Sequence, residues 1–276
     1  MLKLRDGIVE LYRKAATSIP PDVEEALKNV FESEEDPEIK ECLSKIIGNI
    51  RLARRTEGPV CEDIGVPVFS IAAPRGLSHL ELRETVREAT VLATEKIPLT
   101  PNAIDILTGE NTGNNTGVGF PIISIEETTS DTLRIDLMLK DSGCENVGNL
   151  YRLPDEKLDA SMDLEGVRKC VLDAVKRNQG KGCPPYIISV GIGATDDQVS
   201  ALAKRQLFRR VTDCNDNPEI AGFEKKLLEE INLMGAGVGK TTAIGVKVGM
   251  NHRHSSSFCV YTFVSCWSIR RARLLW

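Results

Sequence analysis

Apolar residues recur at helical spacing through the first 57 positions of the chain. Leu4, Ile8, Leu11, Tyr12 and Ala15 share one face of a predicted helix. Ser18-Ile19-Pro20-Pro21-Asp22 ends that helix and opens a second, with Val23, Ala26, Leu27, Val30 and Phe31 on its inward side. A third helix is predicted over residues 37–55, through Ile39, Leu43, Ile46, Ile47 and Ile50.

The texture changes after Pro59. Residues 66–72 form a short branched run that predicts a strand, and residues 77–96 predict a helix. Leu133, Ile135, Leu137 and Leu139 alternate with mostly polar neighbours, the period of a half-buried strand. Helices are predicted over 164–177, 196–210 and 218–233, and strands over 186–192, 243–248 and 258–264. Strands and helices interleave without a repeat. The class is therefore mixed α/β, with a helical N-terminal region (1–57) packed on an α/β core in a single domain spanning 1–276.

Charge and composition narrow the partners. The 276 residues carry 35 basic and 40 acidic side chains, a net charge of −5, and only 5% are aromatic. That balance argues against a phosphate-reading surface or a base-stacking platform, so no nucleic acid partner is expected. No charge-free stretch reaches the roughly 20 residues of a membrane span. Asp6 and Glu10 interrupt the start before any signal-peptide core, and a cytoplasmic location is expected. Eight cysteines are present, with no C-x-x-C pair. Zinc ribbons are thereby excluded, and a disulfide framework does not suit a reducing compartment. Buried thiols, a reactive thiol, or a metal site gathered from distant segments remain.

Four groups of residues carry candidate chemistry. Asn111-Thr112-Gly113-Asn114-Asn115-Thr116-Gly117-Val118-Gly119 is rich in residues that tolerate left-handed backbone, so it suits either a ligand-facing loop or a structural turn. Gly239-Lys240-Thr241-Thr242 resembles the end of a P-loop, but Met234 stands where the first glycine belongs and the helix and strand come in reversed order. A tight turn with Lys240 on a carboxylate is the expectation. His252 and His254 at i, i+2 would point to opposite faces of a strand and not share an ion. Cys61, Cys183 and Cys266 each stand at the end of a predicted strand. They are either three separate thiols or one soft-metal site.

Taken together, Cys61-Glu62-Asp63-Ile64-Gly65, the Asn111–Gly117 block, Ser142-Gly143-Cys144-Glu145-Asn146, Cys183-Pro184-Pro185 with Gly191-Ile192-Gly193, Gly239-Lys240-Thr241-Thr242 and Cys266-Trp267-Ser268-Ile269-Arg270-Arg271 resemble one family. It is the α subunit of the class I, iron–sulfur-dependent fumarate hydratases and L-tartrate dehydratases. The resemblance covers nearly the whole chain. It implies a [4Fe–4S] cluster held by Cys61, Cys183 and Cys266, whose fourth iron is open to act as a Lewis acid on a small dicarboxylate. By the same resemblance Asp63 is an acid/base or orienting carboxylate, while Glu62, Gly143 and His254 match substrate-pocket positions.

The remaining site residues of the family lie in a β region, so a separate β subunit is implied as partner. Fumarate/malate is the first expectation for the substrate. The alternatives are an L-tartrate dehydratase α subunit and a non-catalytic, cluster-binding α-like protein. Four positions depart from the fumarase pattern: Glu62 for glutamine, Ile64 for threonine, Cys144 for serine, and Thr100 for a carboxylate-binding arginine. Losing that guanidinium removes a bidentate carboxylate clamp.

Overall fold

The helical periods fold as read. In the computed structural model, which describes residues 1–276, α1 (Leu2–Thr17) buries Leu4, Ile8, Leu11, Tyr12 and Ala15. Helix α2 (Pro21–Ser33) buries Val23, Leu27 and Val30, and α3 (Pro37–Thr56) starts where the Asp36 carboxylate accepts from the Glu38 and Ile39 N–H groups. The chain divides into two compact units, residues 1–20, 46–142 and 268–276 in the first and residues 21–45 and 143–267 in the second. The three N-terminal helices are thus shared between the units.

The first unit is built on a four-stranded sheet. Strand β1 (Val66–Pro74) leads through α4 (His79–Lys96) to β2 (Ile122–Thr128), and β3 (Arg134–Lys140) and the C-terminal β8 (Arg270–Leu275) complete it. The order is β2-β1-β3-β8, with β1 and β2 parallel and the other pairs antiparallel. Helices α1 and α4 cover one face, where Leu82, Val86 and Ala89 meet Phe69, Ile135 and Leu137. Tyr12 joins the two helices through its hydroxyl, 2.9 Å from Thr90 Oγ1. Strand β3 is not half-buried as the alternation predicts. Asp136, Met138 and Lys140 on its other face are buried too, and Asp136 is paired there with Arg273 at 2.5 Å.

The second unit carries α5 (Ser142–Glu145, whose first residue belongs to the first unit), β4 (Asn149–Arg152), α6 (Leu164–Arg177), β5 (Tyr186–Gly193), α7 (Asp196–Gln206), α8 (Pro218–Leu233), β6 (Ala243–Met250) and β7 (Cys259–Ser265). Its sheet runs β4-β7-β5-β6, parallel only between β5 and β6. Helices α6 and α8 begin at side-chain caps, Asp163 to the Gly166 N–H and Asn217 to the Glu219 and Ile220 N–H groups. Helix α7 presses against β5 at backbone distance, since a Cβ on Gly191 would lie 2.1 Å from the Val199 carbonyl oxygen. It ends before the predicted residue 210. Leu207, Phe208 and Arg209 donate three residues back, which tightens the turn, and Arg209 pairs with Asp213 and Glu224.

The glycine-lysine segment is a structural turn. It runs from α8 into β6, Val238 and Thr241 pair across it, and Lys240 Nζ lies 2.6 Å from Glu35 Oε2. Glu34 holds the same turn. Its Oε1 accepts from the Glu35 and Asp36 N–H groups at 2.8 and 3.0 Å, and its Oε2 faces the Lys240 N–H at 3.4 Å.

These bonds, from Asp36 and Glu35 first, hold the Glu34 carboxyl below the usual glutamate range. A carboxyl depressed in the fold stabilises it above the unfolded value, about 4.3 for glutamate, and loses that effect as pH falls through the folded value. Glu34→Gln is therefore expected to lower the melting temperature at pH 7. Melting curves against pH should show the gap to the unmodified chain closing below about pH 4.

Candidate functional site

In the first unit the segment carrying Cys61 is gripped on both flanks. The preceding Val60 donates its N–H to the Ala16 carbonyl (3.0 Å) and accepts at its own carbonyl from Asn49 Nδ2 (2.9 Å). Beyond Cys61, the Asp63 carboxylate accepts three hydrogen bonds at 2.9 Å. Oδ1 takes the Gly65 N–H, and Oδ2 takes both the N–H and the hydroxyl of Ser142. Gly65 sits at φ +76, where a Cβ would lie 2.3 Å from the Lys140 carbonyl oxygen, so only glycine lets the loop lie on the end of β3. Cys61 is half-buried on this loop and Glu62 is exposed.

Strand register gathers further groups at the same end of this sheet. Val66 pairs with Lys140 and Leu139 with Arg270, so the starts of β1 and β8 and the end of β3 coincide. Arg270 is fully buried there, with Nη2 2.8 Å from Asp141 Oδ1. Ser142 and Arg270 stand inside sequence motifs, yet neither motif predicts these contacts. No local pattern marks a clasp between positions 79 residues apart.

The asparagine-glycine loop is built around one buried side chain. Asn115 Oδ1 accepts from the Asn102 N–H at 2.7 Å, and its Nδ2 reaches the Thr94 hydroxyl and the Thr100 carbonyl, both at 3.2 Å. Thr100 itself is exposed, and its side chain presents no guanidinium there.

In the second unit, Cys183 and Cys266 stand at one end of the sheet. Ile187 of β5 pairs with Ser265 of β7, so Cys183 shortly before β5 and Cys266 directly after β7 face the same way along the strands. Cys144, on α5 ahead of β4, comes to that end as well: its Sγ accepts the Cys266 N–H at 3.3 Å. All three thiols bear on the buried Tyr186, whose phenol is raised by burial first and then by Cys183, Cys266 and Cys144. Glu145 beside Cys144 is held by Lys204 at 3.0 Å. Gly143 is exposed.

His252 and His254 do not lie on a strand, which corrects the expectation of opposite faces. β6 ends at Met250, and both histidines are exposed on the connection to β7. His254 Nδ1 is 2.8 Å from the Ser256 hydroxyl.

The donor chemistry fits an iron–sulfur group. The three motif thiols stand at loop or strand ends, none of the eight cysteines is in a disulfide, and the buried Arg270 has Nε and Nη1 without a partner. No three His, Cys, Asp or Glu side chains are gathered as a metal centre. Within the second unit Cys183 and Cys266 share a sheet end, and Cys61 belongs to the first unit.

A mixed α/β chain with cysteines at its strand ends is the class of protein so defined. The family model described as fumarate hydratase (Fumerase) matches residues 5–274, and the chain belongs to that family. It is 39% identical to a Geobacillus stearothermophilus protein provisionally named class I fumarate hydratase, over 98% of this chain and 54% of that protein. It is 35% identical to a Methanocaldococcus jannaschii protein provisionally named L(+)-tartrate dehydratase subunit alpha, covering 98% of this chain and 96% of that protein. To the L(+)-tartrate dehydratase subunit alpha of Escherichia coli it is 28% identical, over 99% of this chain and 90% of that one. The chain thus spans about half the first relative and nearly all of the other two. No helix is long and apolar enough to cross a membrane.

Asn115→Ala strands the Asn102 N–H and the Thr100 carbonyl, and an unmet buried group costs roughly 1–3 kcal/mol. Urea unfolding of this variant should show a loss of about 2 kcal/mol with an unchanged denaturant slope.

Proposed function

We propose that this chain is the α subunit of an iron–sulfur hydro-lyase that adds or removes water at a small dicarboxylate, fumarate/malate first. The observation that carries the reading is the family match across residues 5–274, which takes in all three motif cysteines. Cys61, Cys183 and Cys266 hold a [4Fe–4S] cluster, a β subunit completes the site, and residues 1–276 are a single α-type catalytic domain in the cytoplasm. A second reading, L-tartrate dehydratase, is favoured by the relatives named for that activity, whose length this chain nearly fills.

When bound, the cluster supplies an open Lewis-acid position for a substrate oxygen. The chain's own residues bind and move protons around it. Asp63 Oδ1 accepts only from Gly65, which leaves a lone pair for a proton, while Oδ2 is locked by Ser142 and fixes the carboxylate plane. Glu62 and Gly143 flank the substrate. His254 has its Nδ1 on Ser256, leaving Nε2 to meet a substrate oxygen.

Two measurements test this reading. Anaerobic reconstitution should give visible cluster absorbance that is lost in Cys61→Ala, Cys183→Ala and Cys266→Ala and kept in Cys42→Ala and Cys214→Ala. A full cluster in all three site variants would overturn the ligand assignment. The chain alone should be inactive with fumarate and with L-tartrate and gain turnover with its β subunit. In that assembly Asp63→Asn should lower kcat by roughly 10²–10⁴-fold with iron content near normal. Equal loss of iron would make Asp63 a loop clasp only.

A further inference from the structure

Residues 97–121 join α4 to β2 in the first unit and hold apolar side chains out in water. Ile106 and Leu107 are 97% and 95% exposed, and Val118 of the same loop is fully exposed. The backbone around them is braced. Ile104 and Asn111 bridge as the stem of a hairpin, with the Thr112 N–H on the Ala103 carbonyl at 2.9 Å. At the tip Asp105 Oδ1 accepts the Leu107 and Thr108 N–H groups, both at 2.9 Å. Gly109, at φ +73, returns its N–H to the Asp105 carbonyl at 2.8 Å. Val118 tops a second turn, across which Gly117 and Phe120 exchange backbone bonds.

Turn tips are ordinarily built from Gly, Asn, Asp and Ser. Apolar residues scattered singly over a surface need no partner, but a braced tip that presents adjacent Ile and Leu side chains is an apolar patch shaped for one.

The place of the loop says which partner. Its base is fastened to the last turn of α4, where Asn115 Nδ2 reaches the Thr94 hydroxyl. Its far flank enters β2 at Ile122, which pairs with Val68 near the start of β1. That is the sheet end at which Asp63 and Gly65 close the Cys61 loop onto β3. The β subunit of the proposed function completes the site at this end and therefore approaches the loop. A stable interface covers roughly 800 Å² on each partner. A tip-to-tip contact between two copies of the chain supplies a fraction of that area, whereas a subunit that also covers the sheet end around Cys61 makes up the rest.

We propose that residues 97–121 are a docking element for the β subunit, with Ile106 and Leu107 entering an apolar socket of that subunit and Val118 at its rim. The inference rests on the β-subunit reading of the proposed function. Asp105 is a positioning residue. It fixes the tip before the partner arrives, so less freedom is lost on binding.

The test is a calorimetric titration of the full chain with its purified β subunit, with sedimentation velocity of the chain alone beside it. Ile106→Ser combined with Leu107→Ser should weaken binding by roughly 30-fold, the size of one central hot-spot truncation. The melting temperature of this variant should not move, because neither side chain is packed in the free chain. Asp105→Ala keeps both apolar side chains and should weaken binding about 5-fold through the loosened tip. Asp105→Asn, which keeps an acceptor oxygen, should bind as the unmodified chain does. Leu80→Ala, exposed at the opposite end of α4, should change nothing.

Unmodified affinity in the double variant, while the unmodified chain binds its β subunit, overturns the docking assignment and leaves the β-subunit reading intact. So does equal weakening by Leu80→Ala. A chain that sediments as a dimer by itself and as a monomer in the double variant gives the loop to a second copy, and overturns the assignment as well. An unmodified chain that binds no β subunit overturns the β-subunit reading and this one with it.

Discussion

A carboxylate that accepts three hydrogen bonds at once cannot rotate without breaking at least one, and the first unit is arranged around that constraint at Asp63. Gly65 on one side and Ser142 on the other close the Cys61 loop onto the end of β3. Val60 is anchored independently to α1 and α3. Cys61 therefore lies on a short segment with fixed ends, although the segment has no regular secondary structure of its own. Donors of two kinds are involved, backbone and hydroxyl. Replacing the hydroxyl alone still leaves two backbone bonds, whereas Asp63→Ala would release all three.

The second unit uses the same device with different residues. Asn232 near the end of α8 accepts from the Thr242 and Ala243 N–H groups and donates to the Ala243 carbonyl, so the turn carrying Lys240 is closed at its base. Glu224 accepts the Val248 N–H at 2.7 Å and pairs with Arg209, which satisfies the edge strand β6 from within. Buried polar nodes of this sort stabilise little on balance, yet removing one partner is costly, so they specify register more than they add stability.

Much of this was legible from sequence wherever periodicity is a local property. Every helix except the one-turn α5, and the apolar strands β1, β5, β6 and β7, were legible from the sequence pattern. The missed strands have physical reasons. β2 is an edge strand with no buried position, β4 has four residues, and β8 begins Arg270-Arg271, whose charges mask a strand that buries Arg270 against Asp141. The alternation in β3 marks a strand, but its polar face is buried as well, and there Asp136 meets Arg273, a pairing between residues 137 positions apart. Site residues followed the same rule. Asn115, Ser142 and Arg270 stand inside sequence motifs, but their contacts show only through partners elsewhere in the chain, Asn102 and Thr94, Asp63 and Asp141.

The cysteines illustrate how structure discriminates where a count cannot. Burial, with Asp155 and Asp173 adding to it, pushes the Cys170 thiol up to about 12, and burial followed by Asp196 raises that of Cys259. A metal ligand binds as the thiolate, and burial of these two sulfurs works against that form. Cys61 and Cys183 lie on loops with surface access, and Cys266 ends a strand beside Cys144. Cys144 is buried, as Cys266 is, and its sulfur accepts the N–H of Cys266, which helps fix the backbone from which that thiol projects.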